Sequence, residues 1–170
     1  ESLMLLSAIV VGLPLPLLPI HILWINLTDT LLGLSLAFEP KDGDVMSRPP
    51  RPRGATLFGA RTVTLAVVQG LVVLAASLGI LLWIGPRNEE AARSAAFSCV
   101  VAGNLGLIVA NRSLTRSVAR TLATPNTAMW WVAAGALVLL LLGVYVPGLQ
   151  GVFHLVSLSA GTFVASVAVG

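Results

Sequence analysis

From Thr62 to Ile84 the sequence carries no charged residue, and its polar side chains are limited to Thr62, Thr64, Gln69 and Ser77. A helix of about 20 apolar residues matches the hydrocarbon core of a bilayer, so a run of this kind largely decides what the chain can fold into. Similar runs occupy Ser2–Leu13, Ile20–Phe38, Ser94–Ala110 and Met129–Val146, with a weaker one over Val152–Gly170. They predict an all-α, polytopic membrane helical bundle of about five to six spans. Composition agrees: 56% of the 170 residues are hydrophobic and only 10% charged, against about 25% charged in soluble domains, and the mean hydropathy is +0.94.

The connections between these runs set an orientation. Pro14, Pro16 and Pro19 lie in the short first connection and forbid a regular helix there. The second connection, residues 39–61, is a Pro- and Gly-rich loop in which the segment Ala55–Phe58 could start a short interfacial helix. Lys41, Arg48, Arg51, Arg53, Arg61, Arg112, Arg116 and Arg120 all fall in this loop or in the one over 111–126. The remaining basic residues, Arg87 and Arg93, share their loop with Glu89 and Glu90, and the other connections have no Lys or Arg. The positive-inside rule then makes the loops 39–61 and 111–126 cytoplasmic, and Trp130 and Trp131 suit the aromatic belt at the start of their span.

A sequence pI near 10.0 could suggest a nucleic-acid partner. The basic residues follow membrane topology instead, so no nucleic acid is expected and the lipid bilayer is the expected partner. Cys99, the one cysteine, allows neither an internal disulfide nor a Cys-x-x-Cys metal motif. Asn26-Leu-Thr28 and Asn111-Arg-Ser113 match the glycosylation pattern but fall inside the membrane and on the cytoplasmic side. The apolar run directly behind Glu1 and the abrupt "ASVAVG" at the other end read as pieces of helices, so the chain is expected to be a fragment of something longer.

The second run interrupts this apolar pattern. In "PIHILWINLTDTLLGLSLAFEP", Asn26, Thr28, Asp29 and Thr30 stand mid-span, where an ionised aspartate costs about 2.5–3.5 kcal/mol on insertion scales. On a helix Asn26 shares a face with Asp29 at i+3 and with Thr30 at i+4. Oxygen donors without sulfur or imidazole suit hard cations. The bland alternative is that these groups only hydrogen-bond neighbouring helices. Gly33, just beyond, is expected to loosen the helix, as in transporters that ligate an ion with unwound backbone. Gln69 and Asn104 are the other mid-span amides, and both read first as interhelical contacts. His21 and His154 read as interfacial.

The segment "LPLLPIHILWINLTDT…LAFEP…DVMSRPPR" resembles the carboxy-terminal transmembrane domain of P-type cation-transporting ATPases, with the calcium-pump-like type nearest. That family carries a Trp-x-Asn-x-x-Thr-Asp pattern, then Phe-x-Pro, then a cytoplasmic Met-x-x-Pro-Pro-Arg, which Met46, Pro49 and Pro50 reproduce. "NRS" at Asn111–Ser113 resembles the end of the family's eighth span. The resemblance implies that residues 1–38 are an ion-binding helix pair with one partly unwound helix, 39–61 a cytoplasmic loop and 62–170 supporting helices.

The resemblance also implies a ligand set. Glu1 lies thirteen residues before Pro14, the spacing of the family's fifth-span ligand glutamate from its proline. Asn26 matches the sixth-span asparagine, and Thr28 and Asp29 the pair that follows. One residue fewer separates Asn26 from that pair, so Thr30 is an alternative for one position. Asn104 falls near the eighth-span ligand, one residue out of step. The candidate metal ligands are therefore Glu1, Asn26, Thr28, Asp29, Thr30 and Asn104, with Ca²⁺ as the expected cation.

The phosphorylated Asp-Lys-Thr-Gly-Thr of the family is missing from this sequence. No catalytic residue is expected here, and ATP and Mg²⁺ would belong to cytoplasmic domains outside the chain. The expected function is the ion path of an ATP-driven cation pump in a plasma or inner membrane, partnered by the other domains of the same pump. A secondary cation carrier, a channel subunit or an inactive truncated membrane fragment are the alternatives.

Overall fold

A computed structural model describes residues 2–12, 15–38, 59–111 and 126–170. Helix α1 (Ser2–Val11) stops where Gly12 takes φ +72°, the left-handed position at which helices commonly end on glycine. Helix α2 (Pro19–Ser35) opens with proline in its first turn, where the missing N–H is no loss. The Leu18 N–H donates to His21 Nδ1 at 3.2 Å, so an imidazole satisfies a backbone donor left over at the helix start. A 3₁₀ turn over Leu36–Phe38 closes α2.

Helix α3 (Ala60–Ile84) turns tightly through Gly85 into α4 (Glu89–Asn111). Asn88 caps α4 by accepting the Ala91 N–H at 3.0 Å, and Glu89 and Glu90 lie against the positive end of its dipole. Helix α5 (Thr127–Tyr145) is capped by Asn126, whose Oδ1 accepts the Met129 N–H at 3.0 Å. Two short helices follow, α6 (Pro147–Phe153) and α7 (Ala160–Val169).

Among the described residues the fold is an all-α bundle, and four helices are long and apolar enough to cross a membrane: α2 with its 3₁₀ turn, α3, α4 and α5. The ten-residue helices α1 and α7 are each shorter than the roughly 20 residues a crossing needs. The expected last span over Val152–Gly170 is corrected by the structure. His154 takes a left-handed conformation with φ 50°, and residues 155–159 run without helix before Ser159 caps α7 by accepting the Thr162 N–H at 3.2 Å. The break is held by packing and a cross-helix bond. Leu155 and Leu158 are buried, and the Val156 N–H donates to Ser94 Oγ at 2.8 Å.

Helix α4 is the axis of the bundle. It packs against α2, α3, α5 and α7, and every residue from Ser94 to Val101 is buried. By contrast α3 turns Val63, Leu65, Val68 and Val72 outward. Such a face is incompatible with water over this length and fits a lipid environment. Lipid removes the hydrophobic drive for helices to associate, so close approach has to come from small residues. At Gly103 of α4 an added Cβ would sit 3.0 Å from both methyls of Val73. At Gly143 of α5 it would sit 3.1 Å from the Trp24 ring.

Trp24 belongs to an aromatic knot that ties α2, α4 and α6 together. Its ring centroid lies 5.8 Å from Phe97 and 4.3 Å from Phe153, both edge-on. His21 is fully buried and tilts against Phe97 at 4.8 Å. Its Nε2–H donates to the Phe153 carbonyl at 2.6 Å, while Nδ1 accepts from Leu18. The histidine read from sequence as interfacial is a fully bonded core residue. The loop segment 55–58 and most of the loops 39–61 and 111–126 lie outside the described residues.

Candidate functional site: a carboxylate and amides between helices

Helix α2 runs unbroken from Pro19 to Ser35, which corrects the expected unwinding near Gly33. The polar side chains bond along the helix rather than opening it. Asn26 Nδ2 donates to the Ile22 carbonyl at 2.9 Å, and Thr30 Oγ1 donates to the Asn26 carbonyl at 2.7 Å. Thr28 Oγ1 is shared between the carbonyls of Trp24 at 3.1 Å and Ile25 at 2.9 Å. Hydroxyls in this pattern bond back one turn and satisfy themselves without a ligand.

The spacing of three places Asn26 and Asp29 on one face of α2, and that face borders a cavity of about 560 Å³ between α1, α2, α3 and α4. Leu3 and Met4 of α1 line one side, Gly70, Val73, Leu74 and Ser77 of α3 another, and Val100 and Asn104 of α4 a third. Asn104 reaches across from α4 so that its Nδ2 lies 3.1 Å from Asp29 Oδ1 and 3.0 Å from Oδ2. The carboxylate and both amides therefore converge on one partly enclosed space.

The remaining sequence candidates lie elsewhere. Thr28 is buried on another face of α2, beside an apolar groove of about 360 Å³ shared with Leu139 and Phe153. Thr30 is exposed and bonded to its own helix. Glu1 lies outside the described residues. Among the described residues no group of three His, Cys, Asp or Glu side chains comes together, so a metal held here would rely on amide, hydroxyl and carbonyl oxygens around Asp29, a donor set suited to hard cations.

Sequence reasoning missed Ser77. Its Oγ donates to the carbonyls of Val73 at 2.8 Å and Leu74 at 3.0 Å, and it adds a hydroxyl oxygen to the cavity wall. The available signal was that Ser77 is the one hydroxyl in α3 after Thr64. Gln69 serves as the interhelical contact its position suggested, accepting from Asn111 Nδ2 at 3.1 Å.

An acidic residue at mid-span, bonded to an amide of a neighbouring helix, is a feature that marks functional sites in membrane helical bundles. The family described as cation transporting ATPase, C-terminus, matches residues 14–170, and the chain belongs to that family. It is 33% identical over 167 residues to a calcium-transporting ATPase of Bacillus subtilis (strain 168), covering 95% of this chain and 18% of that protein. It is 34% identical over 176 residues to the probable cation-transporting ATPase F of Mycobacterium bovis, covering 99% of this chain and 19% of that protein. The mouse calcium-transporting ATPase type 2C member 2 is 32% identical over 155 residues, covering 89% of this chain and 16% of that protein. The chain thus spans about a fifth of the length of the first two of these relatives. It is a membrane domain of the P-type, cation-transporting class.

Proposed function

We propose that these helices form the ion path of an ATP-driven pump whose cargo is Ca²⁺, with Asp29 and Asn26 as ligands. The observation that carries this reading is the convergence of Asp29, Asn26 and Asn104 on one cavity at mid-span. An acid within a membrane span is costly and commonly marks an ion pathway. The calcium-transporting names of the Bacillus and mouse relatives favour Ca²⁺ among hard cations. Glu1 is proposed as a second acidic ligand by resemblance. Thr28 and Thr30 are the weaker ligands of the set, because their hydroxyls donate to their own helix.

In the same reading ATP and Mg²⁺ bind in cytoplasmic domains of the same polypeptide. The loops 39–61 and 111–126 face the cytoplasm, and the pump resides in a plasma or inner membrane. The loop 39–61 would pass movement from the phosphorylated domain to α2 and α3. The test is ATP-driven ⁴⁵Ca²⁺ accumulation in membrane vesicles carrying the whole polypeptide. Accumulation that Asp29→Asn removes supports the assignment, and ATP-independent exchange would point to a carrier instead.

A further inference from the structure

Arg87 lies in the turn between α3 and α4, at the end of α3 away from the loop 39–61. The 25 residues of α3 make a helix about 37 Å long at about 1.5 Å per residue. That exceeds the roughly 30 Å hydrocarbon core of a bilayer, so Arg87 stands at headgroup level. Its Nη1 donates to the Trp83 carbonyl at 2.9 Å, a neutral partner that engages only part of a guanidinium with five N–H groups. Arg93 by contrast pairs with Glu89 at 3.2 Å, and no ion pair reaches Arg87 among the described residues. Arg87 borders a cavity of about 280 Å³ that Trp83 lines from α3 and Ser157, Leu158, Ser159 and Thr162 line from the start of α7 and the segment before it. No carboxylate lines this space. Ser159 Oγ and Thr162 Oγ1 lie 2.8 Å apart, so one hydroxyl proton serves the other oxygen and the second is left for an outside acceptor.

We propose that this cavity holds the phosphate of an anionic phospholipid, bound by the Arg87 guanidinium with the hydroxyls of Ser159 and Thr162 beside it. A guanidinium presents its N–H groups in a planar fork that matches phosphate oxygens, and the bonds are charge-assisted. The level in the membrane favours a lipid over a free anion. Trp83 is 61% exposed, an aromatic of the kind that belts the membrane interface, and it offers its ring to the glycerol backbone and the first chain carbons. Leu158 is buried and gives the cavity an apolar wall. The lipid joins the α3–α4 turn to the non-helical segment 155–159, which the protein itself holds through the Val156–Ser94 bond and the packing of Leu155 and Leu158. The site is separate from the cavity at Asp29 and does not depend on which ion is carried.

The test is native mass spectrometry of the whole polypeptide in detergent, titrated with phosphatidylglycerol and, in parallel, with phosphatidylcholine, comparing wild type with Arg87→Gln. Inorganic phosphate is added as a competitor. One phosphatidylglycerol is expected to bind the variant roughly tenfold more weakly than the wild type, the size of a lost charge-assisted contact. Phosphatidylcholine binding is expected to be the same in both, and phosphate to displace nothing. Ser157→Glu places an acid in the cavity while leaving Arg87 intact, and the same loss is expected from it; it serves if Arg87→Gln does not fold. Phosphatidylglycerol binding that is unchanged in either folded variant overturns the proposal. Displacement by inorganic phosphate would make this a site for a free anion, and an equal loss of phosphatidylcholine would show a site indifferent to headgroup charge; either result also overturns it.

Discussion

Asn104 of α4 donates to both carboxylate oxygens of Asp29 of α2, at 3.1 and 3.0 Å. The pair joins two helices that the sequence separates by a whole span, and it places the mid-membrane charge beside the cavity. Substituting Asp29→Asn leaves the volume nearly unchanged and removes the charge. Cation affinity is expected to fall by at least about 100-fold, since the proposed acidic ligand is replaced by a neutral side chain, while the melting temperature stays within a few degrees. Calorimetry on the purified polypeptide alongside ion titration checks both.

The seam between α2 and α5 gives a packing prediction. Gly143 faces the Trp24 ring, with an added Cβ only 3.1 Å away, whereas Gly135 on the same helix has open space. Gly143→Val should destabilise by about 1–3 kcal/mol through overpacking. Gly135→Ala should be neutral or slightly stabilising, because alanine is the better helix former. Thermal denaturation in one detergent, run on both variants, reads the contrast. Equal losses would contradict the close approach.

His21 uses both ring nitrogens on backbone groups of different elements, Leu18 and Phe153. His21→Ala should leave a donor and an acceptor unpaired and cost about 2–3 kcal/mol. The loss should be local. Amide exchange at Leu18 should accelerate first, because its N–H loses the imidazole acceptor. Hydrogen exchange read by mass spectrometry is the measurement, and protection unchanged around Leu18 would contradict the bond.

These residues also show how much was legible beforehand. The helical bundle was readable because runs such as Thr62–Ile84 contain no charge, and lipid enforces that pattern directly. That Asn26 and Asp29 share one face of α2 was readable from a spacing of three. The break at His154 was not, because it depends on Val156 meeting Ser94 of α4 and on Leu155 and Leu158 entering the core. Periodicity carries no trace of such long-range contacts. Nor could spacing separate Thr28 from Asp29 as neighbours in a site. One residue turns a helical side chain by about 100°, and only packing shows which side meets the cavity.

Asn126 links the start of α5 to the end of α2. Its Oδ1 caps Met129 at 3.0 Å, and its Nδ2 donates to the Ser35 carbonyl at 3.3 Å. Asn126→Ala should cost about 1–2 kcal/mol, and Asn126→Asp should recover the cap but not the bond to Ser35. The difference between the two variants in denaturant titration measures the interhelical part. Identical stabilities would mean that the capping bond alone matters.

Asp29 is proposed to lie on the path of a cation driven by ATP. The most direct measurement is phosphoenzyme formation from labelled ATP by the whole polypeptide in purified membranes, screening Ca²⁺, Mn²⁺, Na⁺, K⁺ and Mg²⁺, with Asp29→Asn beside the wild type. Stimulation by Ca²⁺ that disappears in the variant is the expected result. Phosphoenzyme that forms equally in both, or none with any ion, would contradict it.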